Sequence, residues 1–240
     1  EIMAAQGYDS VTVDIQHGAL DYSDVLPMFQ AMQSSGATLI ARVPWRDPGY
    51  IMKALDVGAM GIICPMINNS EEAAEFISYM RYPPLGQRSF GPTRVAVSVP
   101  DYGVEANDEV LAFAMIETAD GVQNLEAIAA TAGLDGIYVG PADLTLGTQL
   151  GRLAPGLDRT EDEMVTLIQK VASVCKEYGL IAGIHCGTAE YASKAIGWGY
   201  NLTTIGGDTR LLASAAAASV SSWRKLTGRK EKAQVTGGVY

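Results

Sequence analysis

The chain has 240 residues, of which 48% are hydrophobic, and a formal net charge of −10. This length fits one domain with a large buried core, and no apolar run reaches the roughly 18 residues expected of a membrane span. The acidic balance argues against a nucleic-acid-binding protein, which needs a basic surface to contact phosphates.

The cysteine pattern indicates a reducing compartment. Cys64, Cys175 and Cys186 lie in apolar runs, and no CxxC motif occurs. We therefore expect buried core residues rather than a disulfide framework or a structural zinc site. Because no secretory leader is recognisable, we expect a cytoplasmic protein.

Short apolar runs alternate along the chain with longer amphipathic stretches. Residues 1–7 are typical of the end of a helix, because Gly7 can end a helix and an apolar run follows. Strands are then predicted at 11–16, 38–43, 61–67, 111–117, 136–140, 181–185 and 202–206. Helices are predicted at 21–34, 47–57, 70–81, 119–132, 160–178, 188–198 and 208–226. Most of these strands are apolar throughout, which is typical of parallel strands buried on both faces.

This alternation predicts an α/β fold. Adding one unit, lost before residues 1–7, to the seven predicted strand–helix units gives a (β/α)₈ TIM barrel, a single domain over residues 1–240. An open doubly wound sheet is the main alternative, but no Gly-rich dinucleotide fingerprint follows a strand. The stretch 83–107 is predicted to be a long irregular loop, and residues 207–240 a C-terminal helix with a polar tail.

The polar residues at the predicted strand ends are the candidates for chemistry, because barrel active sites lie at the C-terminal ends of the strands. These residues are expected to form a ring at one mouth: Asp14, Gln16, His17, Arg42, Glu117, Asp143, His185 and Asp208. No lysine stands among them, so the sequence does not indicate a Schiff-base mechanism.

Glu117 and Asp143 each follow an apolar run. Two carboxylates brought together repel each other, and one takes up a proton unless a divalent cation relieves the repulsion. Such a cation, held by two protein ligands, keeps open positions for a substrate. The simpler interpretation is that each carboxylate caps the helix after its strand.

The basic residues of the ring allow more than one interpretation. Asp14 and His17 are spaced for a pair in which the carboxylate orients the imidazole as a base, and His185 is an equal candidate for that base. Either histidine is alternatively a structural hydrogen-bonding residue. Arg42, inside an apolar strand, requires an anion, which is either Asp14, Glu117 or a developing enolate oxygen.

Five segments occur in order along the chain. They are residues 7–17, 42–48, 81–88, 116–118 and 140–144, with the sequences GYDSVTVDIQH, RVPWRDP, RYPPLGQR, IET and GPADL. In this order they resemble the HpcH/HpaI aldolase family, the class II pyruvate aldolases typified by 2,4-dihydroxyhept-2-ene-1,7-dioate aldolase. The resemblance extends over almost the whole chain.

The resemblance implies a (β/α)₈ barrel that assembles as a hexamer, a trimer of dimers. It also implies that the C-terminal helix packs on a neighbouring subunit. Asp56 resembles an acid that reaches the active site of a neighbouring subunit.

The resemblance also implies roles for residues of the ring. Glu117 and Asp143 resemble ligands of a divalent metal, which is Mg²⁺, Mn²⁺ or Co²⁺ in this family. His17, paired with Asp14, resembles the general base, and Arg42 resembles the contact to the keto or enolate oxygen. The substrate carboxylate is then expected at the main chain of Gly140, Pro141, Ala142 and Asp143.

The implied function is that of a metal-dependent carbon–carbon lyase. It cleaves or forms 4-hydroxy-2-oxo acids from an aldehyde and pyruvate or hydroxypyruvate, through an enolate held on the metal. The alternatives are an acyl-CoA lyase similar to the citrate lyase β subunit, or a silent barrel kept as a binding or assembly protein. The chain departs from the family pattern at Ile15 and Gln16 and at Met115, and the loop after Arg88 is shorter, so the aldehyde preference does not follow from the resemblance.

Overall fold

The computed structural model describes residues 1–233, and these form a seven-stranded parallel sheet whose strand order follows the chain. The strands are β1 Ser10–Asp14, β2 Thr38–Arg42, β3 Gly61–Cys64, β4 Leu111–Ile116, β5 Gly136–Val139, β6 Ile181–Ile184 and β7 Leu202–Thr203. Parallel neighbours in chain order need a crossover between each pair, which helices and loops provide. The prediction of a parallel α/β fold is confirmed.

The helices follow the strands in the predicted alternation. They are α1 Tyr22–Met32, α2 Pro48–Asp56, α3 Ser70–Met80, α4 Val95–Ser98, α5 Tyr102–Glu109, α6 Ala119–Gln123, α7 Leu125–Ala129, α8 Pro141–Gln149, α9 Asp162–Tyr178, α10 Ala189–Gly197 and α11 Asp208–Leu226. Side-chain caps explain several starts: Asp21, Asn69 and Thr188 each accept a main-chain N–H of the first helical turn. Within residues 1–233, no helix combines the length and apolar character of a membrane span.

The helices differ from the prediction in three places. The predicted helix at 119–132 is divided at Asn124 into α6 and α7, and the stretch 83–107, predicted to be irregular, contains α4 and most of α5. Pro83, Pro84 and Pro92 lie before α4 begins, and Pro100 lies between α4 and α5. The unpredicted α8 begins with Pro at its first position and contains Gly147, a weak helix former.

The inner face of the sheet positions the site. Buried side chains of β2 to β5 pack into one inner cluster, which Ile181 of β6 and Leu202 of β7 join, so the sheet is curled. Side chains alternate between faces along a strand. Phe113 and Met115 are inner residues of β4, so Glu117 is the next inner position. By the same alternation and register, the inner layer at the strand ends contains Asp14, Arg42, Glu117, Gly140 and His185.

The predictions for the two ends of the chain can be compared with the structure in part. The predicted helix end corresponds to a short 3₁₀ helix, Ala4–Gln6, which Gly7 ends with a φ of 83°. Strands β1 and β7 stand at the two ends of the strand order, and the lost first unit stays a prediction. The predicted tail falls partly outside the described residues, from 234 to 240. The three cysteines are buried and free, as predicted.

Candidate active site

Asp14 and Arg42 form a closely paired unit at the ends of β1 and β2. Their Cα atoms are register partners, and Arg42 donates to Asp14 from Nε at 2.8 Å and from Nη2 at 2.5 Å. Arg42 is 5% exposed. Burial raises the pKa of Asp14, but the hydrogen bond and charge of Arg42 and two main-chain N–H groups outweigh it, so the pKa is lowered. Of the anions considered from the sequence, Asp14 is the one that Arg42 contacts bidentately.

Asp14 also shapes the turn that carries His17. Its Oδ1 atom accepts the main-chain N–H of Gln16 at 3.1 Å and of His17 at 3.3 Å. His17 is exposed at the mouth, whereas Oε1 of Gln16 is buried without a hydrogen-bond partner among the described residues. One carboxylate therefore fixes both the Arg42 guanidinium and the main chain of His17.

Glu117, one residue beyond β4, is a buried carboxylate in which only one oxygen accepts a hydrogen bond. Its Oε1 atom accepts the Met66 N–H at 2.8 Å, and its Oε2 atom is buried without a hydrogen-bond partner in the described part of the chain. Glu117 is 1% exposed. Burial and the charge of Asp143 raise the pKa of Glu117, the Met66 N–H and Arg42 lower it, and the net result is a pKa of about 7. The electrostatic effect of Asp143 indicates that the two predicted carboxylates share one site.

Asp143 lies in the first turn of α8, immediately after β5, and is half-buried. The first main-chain N–H groups of a helix have no partner inside it, so those of Ala142 and Asp143 are available to an anion at the mouth. Gly140 precedes the helix next to Glu117: a Cβ there would stand 2.6 Å from Oε2 of Glu117. Glycine at this position therefore leaves room for the Glu117 carboxylate.

These carboxylates fit a divalent cation. Glu117 and Asp143 are hard oxygen donors of the kind that Mg²⁺ and Mn²⁺ prefer. Oε2 of Glu117 lacks the partner that a buried ionised oxygen requires. Residues 1–233 contain no group of three or more His, Cys, Asp or Glu able to hold a metal. A cation held by these two carboxylates alone would leave further coordination positions to water or substrate.

The two candidate histidines lie in different environments. His185, one residue beyond β6, is half-buried, and its Nδ1 lies 3.5 Å from the Tyr138 hydroxyl. Burial and the charges of Arg42 and Arg210 lower the pKa of His185 to about 4, although Asp14 and Asp158 act in the opposite direction. A histidine with this pKa is neutral and weakly basic at pH 7, which disfavours His185 as the general base. His17 remains the candidate base.

Of two other predicted residues, Asp56 lies away from the mouth, whereas Asp208 follows β7 at the mouth end of the sheet. Asp56 ends α2, shortly before β3 begins, and therefore lies at the opposite end of the sheet from Glu117. Its Oδ1 atom accepts the Nη2–H of Arg88 at 2.7 Å. Asp208 is exposed at the start of α11. Within its own chain, Asp56 does not join the ring at the mouth.

Two contributors were not found from the sequence. Met66 supplies the N–H that Glu117 accepts and has a φ of 57°, unusual for a residue other than glycine. Nothing in the sequence around Met66 signals this conformation. In the sequence, Tyr138 looks like a core residue of an apolar strand. Because side chains two residues apart share a face, its spacing from Gly140 was the available signal that Tyr138 points inward.

The sequence and structure both match known aldolases. The HpcH/HpaI aldolase/citrate lyase family profile matches residues 1–215. The chain is 37% identical over 227 residues to a hydroxypyruvate/pyruvate aldolase of Rhizorhabdus wittichii, covering 94% of this chain and 89% of the relative. It is 30% identical over 228 residues to a 5-keto-4-deoxy-D-glucarate aldolase of Klebsiella pneumoniae, covering 94% and 87%.

The fold agrees with this match. The crystal structure of an HpcH/HpaI aldolase/citrate lyase family protein from Burkholderia cenocepacia superposes with a TM-score of 0.84 at 31% identity, over 93% of this chain and 88% of that one. This chain belongs to the HpcH/HpaI aldolase/citrate lyase family.

Proposed function

We propose that this protein is a divalent-metal-dependent aldolase that joins pyruvate or hydroxypyruvate to an aldehyde, and cleaves the resulting 4-hydroxy-2-oxo acid. The observation that carries the proposal is the buried, unpaired Oε2 of Glu117 beside Asp143 at the strand ends. A stable fold leaves few buried charges without a partner, so a ligand of opposite charge is expected there.

Glu117 and Asp143 are the residues that would hold the cation, which we propose to be Mg²⁺, Mn²⁺ or Co²⁺. When bound, such an ion supplies a Lewis acid that polarises a keto group and favours loss of a proton from the adjacent carbon. The protein adds its own fixed charges. The N–H groups of Ala142 and Asp143 are suited to the substrate carboxylate, at the positive end of the α8 dipole.

Arg42 supplies a second positive charge at the mouth. Its bidentate bond to Asp14 holds the guanidinium in one orientation, so no reorganisation is needed as charge develops on the keto oxygen. A buried Arg42 without Asp14 would be costly, which explains why the two residues are register partners.

His17 is proposed to move the proton of the aldol step. In the cleavage direction its imidazole accepts the proton of the 4-hydroxyl group, directly or through a water molecule, and returns it in the condensation direction. Asp14 fixes the turn that carries His17 through the main-chain N–H. His17 is exposed, so its imidazole is accessible to an aldehyde from solvent.

The test combines activity with metal binding. Pyruvate and glycolaldehyde are incubated with the metal-stripped full chain, with and without Mn²⁺, and the 4-hydroxy-2-oxo acid is quantified. Glu117→Gln and Asp143→Asn should lose Mn²⁺ binding by calorimetry and at least about 10³-fold in kcat/KM. His17→Ala should slow turnover by about 10²-fold or more while keeping the Mn²⁺ isotherm.

Glu177→Gln is the matched control, because Glu177 is an exposed carboxylate at the end of α9. It should behave as the parent chain does. Full turnover by the parent chain in a chelating buffer, or normal Mn²⁺ binding by Glu117→Gln, would overturn the proposal.

The C-terminal helix is proposed to pack on a neighbouring subunit of a homo-oligomer, with Asp56 directed to the neighbour's site. Helix α11 has no buried residue, and Leu212 and Leu226 are 74% and 83% exposed. An apolar surface of this kind is typical of an interface. Light scattering should give a hexamer for the parent chain and smaller species for the double variant Leu212→Glu/Leu226→Glu. A monomeric parent chain would contradict this assembly.

A further inference from the structure

His185 shares the mouth with the candidate site but has no part in the mechanism above. Ile181 and Gly183 precede it at period-two spacing, and Ile181 packs on the inner cluster, so the His185 ring points inward. Register places it in the same layer as Gly140, the residue that precedes α8. His185 is thus the polar side chain that follows β6 in this layer.

The His185 ring lies across the mouth from Arg42. Strands β2 and β6 are four places apart in the strand order, and in a sheet curled toward a barrel such strands form opposite walls. The charge of Arg42 acts on the His185 imidazole, so both groups face the same space. A substrate whose keto oxygen meets Arg42 would share this space with the His185 ring.

Tyr138 contacts the ring at Nδ1. Its hydroxyl lies 3.5 Å from Nδ1 of His185, and its side chain is 3% exposed in the inner cluster. No hydrogen bond joins Nε2 of His185 to the residues between 1 and 233. A neutral imidazole with one nitrogen engaged offers the other for a single hydrogen bond, as donor or acceptor according to its tautomer.

We propose that His185 is a specificity-determining residue whose Nε2 hydrogen-bonds a hydroxyl group on the part of the substrate beyond the keto carbon. The inference rests on the proposed aldolase function. The hydroxyl belongs either to C3 of hydroxypyruvate or to the carbon next to the aldehyde group. A half-buried polar nitrogen discriminates against a substrate that lacks the hydroxyl, because that nitrogen then loses its partner.

The low basicity of His185 agrees with this role. A pKa of about 4 keeps the ring neutral near pH 7. Such a group can donate or accept a hydrogen bond without changing its charge as the reaction proceeds.

The test compares paired substrates in the full-length, Mn²⁺-loaded protein. One pair is hydroxypyruvate against pyruvate, each with propanal, and the other is glycolaldehyde against acetaldehyde, each with pyruvate. His185→Leu should lower the kcat/KM ratio of the hydroxylated to the plain substrate by about tenfold in at least one pair. The pair that responds identifies which hydroxyl is bound.

His185→Gln is the control for a change in packing, because its amide keeps a hydrogen-bonding group at this position. It should recover part of the lost ratio, while thermal unfolding shows whether both variants are folded. If His185→Leu leaves both ratios unchanged, or if the ratios change equally in His185→Leu and His185→Gln, the inference is wrong. A parent chain that turns over none of the four combinations overturns both this inference and the proposed function, whereas unchanged ratios in an active variant overturn the inference alone.

Discussion

Two groups of charged residues at the mouth, called here the arginine corner and the carboxylate corner, differ in how their buried charges are compensated. The arginine corner, Asp14 and Arg42, is paired in two hydrogen bonds and supported by main-chain N–H groups. The carboxylate corner, Glu117 and Asp143, brings like charges together and leaves Oε2 of Glu117 without a partner. Burial of charge is costly unless a partner compensates it. The first corner is therefore complete in the protein alone, and the second would be completed by the proposed cation.

The largest expected effect follows from changing Glu117→Gln. Activity should fall at least about 10³-fold, yet the metal-free protein should become more stable at pH 8. The amide keeps an acceptor for the Met66 N–H and removes the buried negative charge. The raised pKa of Glu117, about 7 against its usual 4.5, limits the gain to about 3 kcal/mol.

The pH dependence of this stability gain has a definite sign. Between pH 4.5 and 7 the folded protein holds a proton on Glu117 that the unfolded chain has released, so the contribution of Glu117 to stability falls as the pH rises. The advantage of Glu117→Gln should be complete above pH 7 and shrink toward pH 4.5. Thermal unfolding of metal-free samples measures it, and a less stable variant at pH 8 would contradict the description of this corner.

The arginine corner should respond in the opposite direction. Arg42→Met leaves the Asp14 carboxylate without its main partner and should destabilise the protein by about 2 kcal/mol, less than for a fully buried pair because Asp14 is partly exposed. The kcat/KM should fall about 10²-fold or more. Adding Asp14→Asn to Arg42→Met should restore part of the stability without restoring activity. Denaturant unfolding provides the measurement, and an unchanged midpoint for Arg42→Met would remove the contrast between the corners.

Metal affinity should follow the protonation state of Glu117. Because the cation requires the ionised carboxylate, the Mn²⁺ association constant should rise about tenfold per pH unit from pH 5 toward 7 and level off above it. Calorimetry in buffers of different ionisation enthalpy should detect release of about one proton per ion at pH 6. Glu177→Gln should keep this profile. An affinity independent of pH over this range would show that the pKa of Glu117 is not raised.

Sequence reasoning located the members of both corners but not their pairing. Asp14, Arg42 and Glu117 are recognisable as polar residues at the ends of apolar strands. The sequence left open whether Arg42 meets Asp14 or Glu117, because that depends on the register between β1 and β2, which a single sequence does not reveal.

Other contributions depend on backbone conformation or on fine packing. Met66 adopts a positive φ that no residue type around it signals, so its bond to Glu117 was not predictable. Helix α8 was missed because Gly147 weakens its helical pattern, although the GPAD sequence at its start was identified for the site. Alternation placed the strands reliably, whereas the turns that complete the site depend on tertiary contacts.

The smallest expected effect tests how closely the carboxylate corner is packed. In Gly140→Ala, the new Cβ would stand 2.6 Å from Oε2 of Glu117 and would also press on the end of the Met115 side chain. Since both neighbours are side-chain ends, they can shift, and the fold should survive with a loss of about 1–3 kcal/mol. Displacing Oε2 should weaken Mn²⁺ binding about tenfold.

Gly197→Ala is the matched control for this change, because its Cβ meets nothing within 4 Å in helix α10. It should leave Mn²⁺ binding as it is and stabilise the helix slightly. The double variant Gly140→Ala/Met115→Ala removes most of the Met115 side chain. It should recover metal affinity only if pressure from Met115 is what displaces Oε2. If Gly140→Ala binds Mn²⁺ as tightly as the parent chain, Oε2 has room to move freely and the corner is less constrained than its glycine suggests.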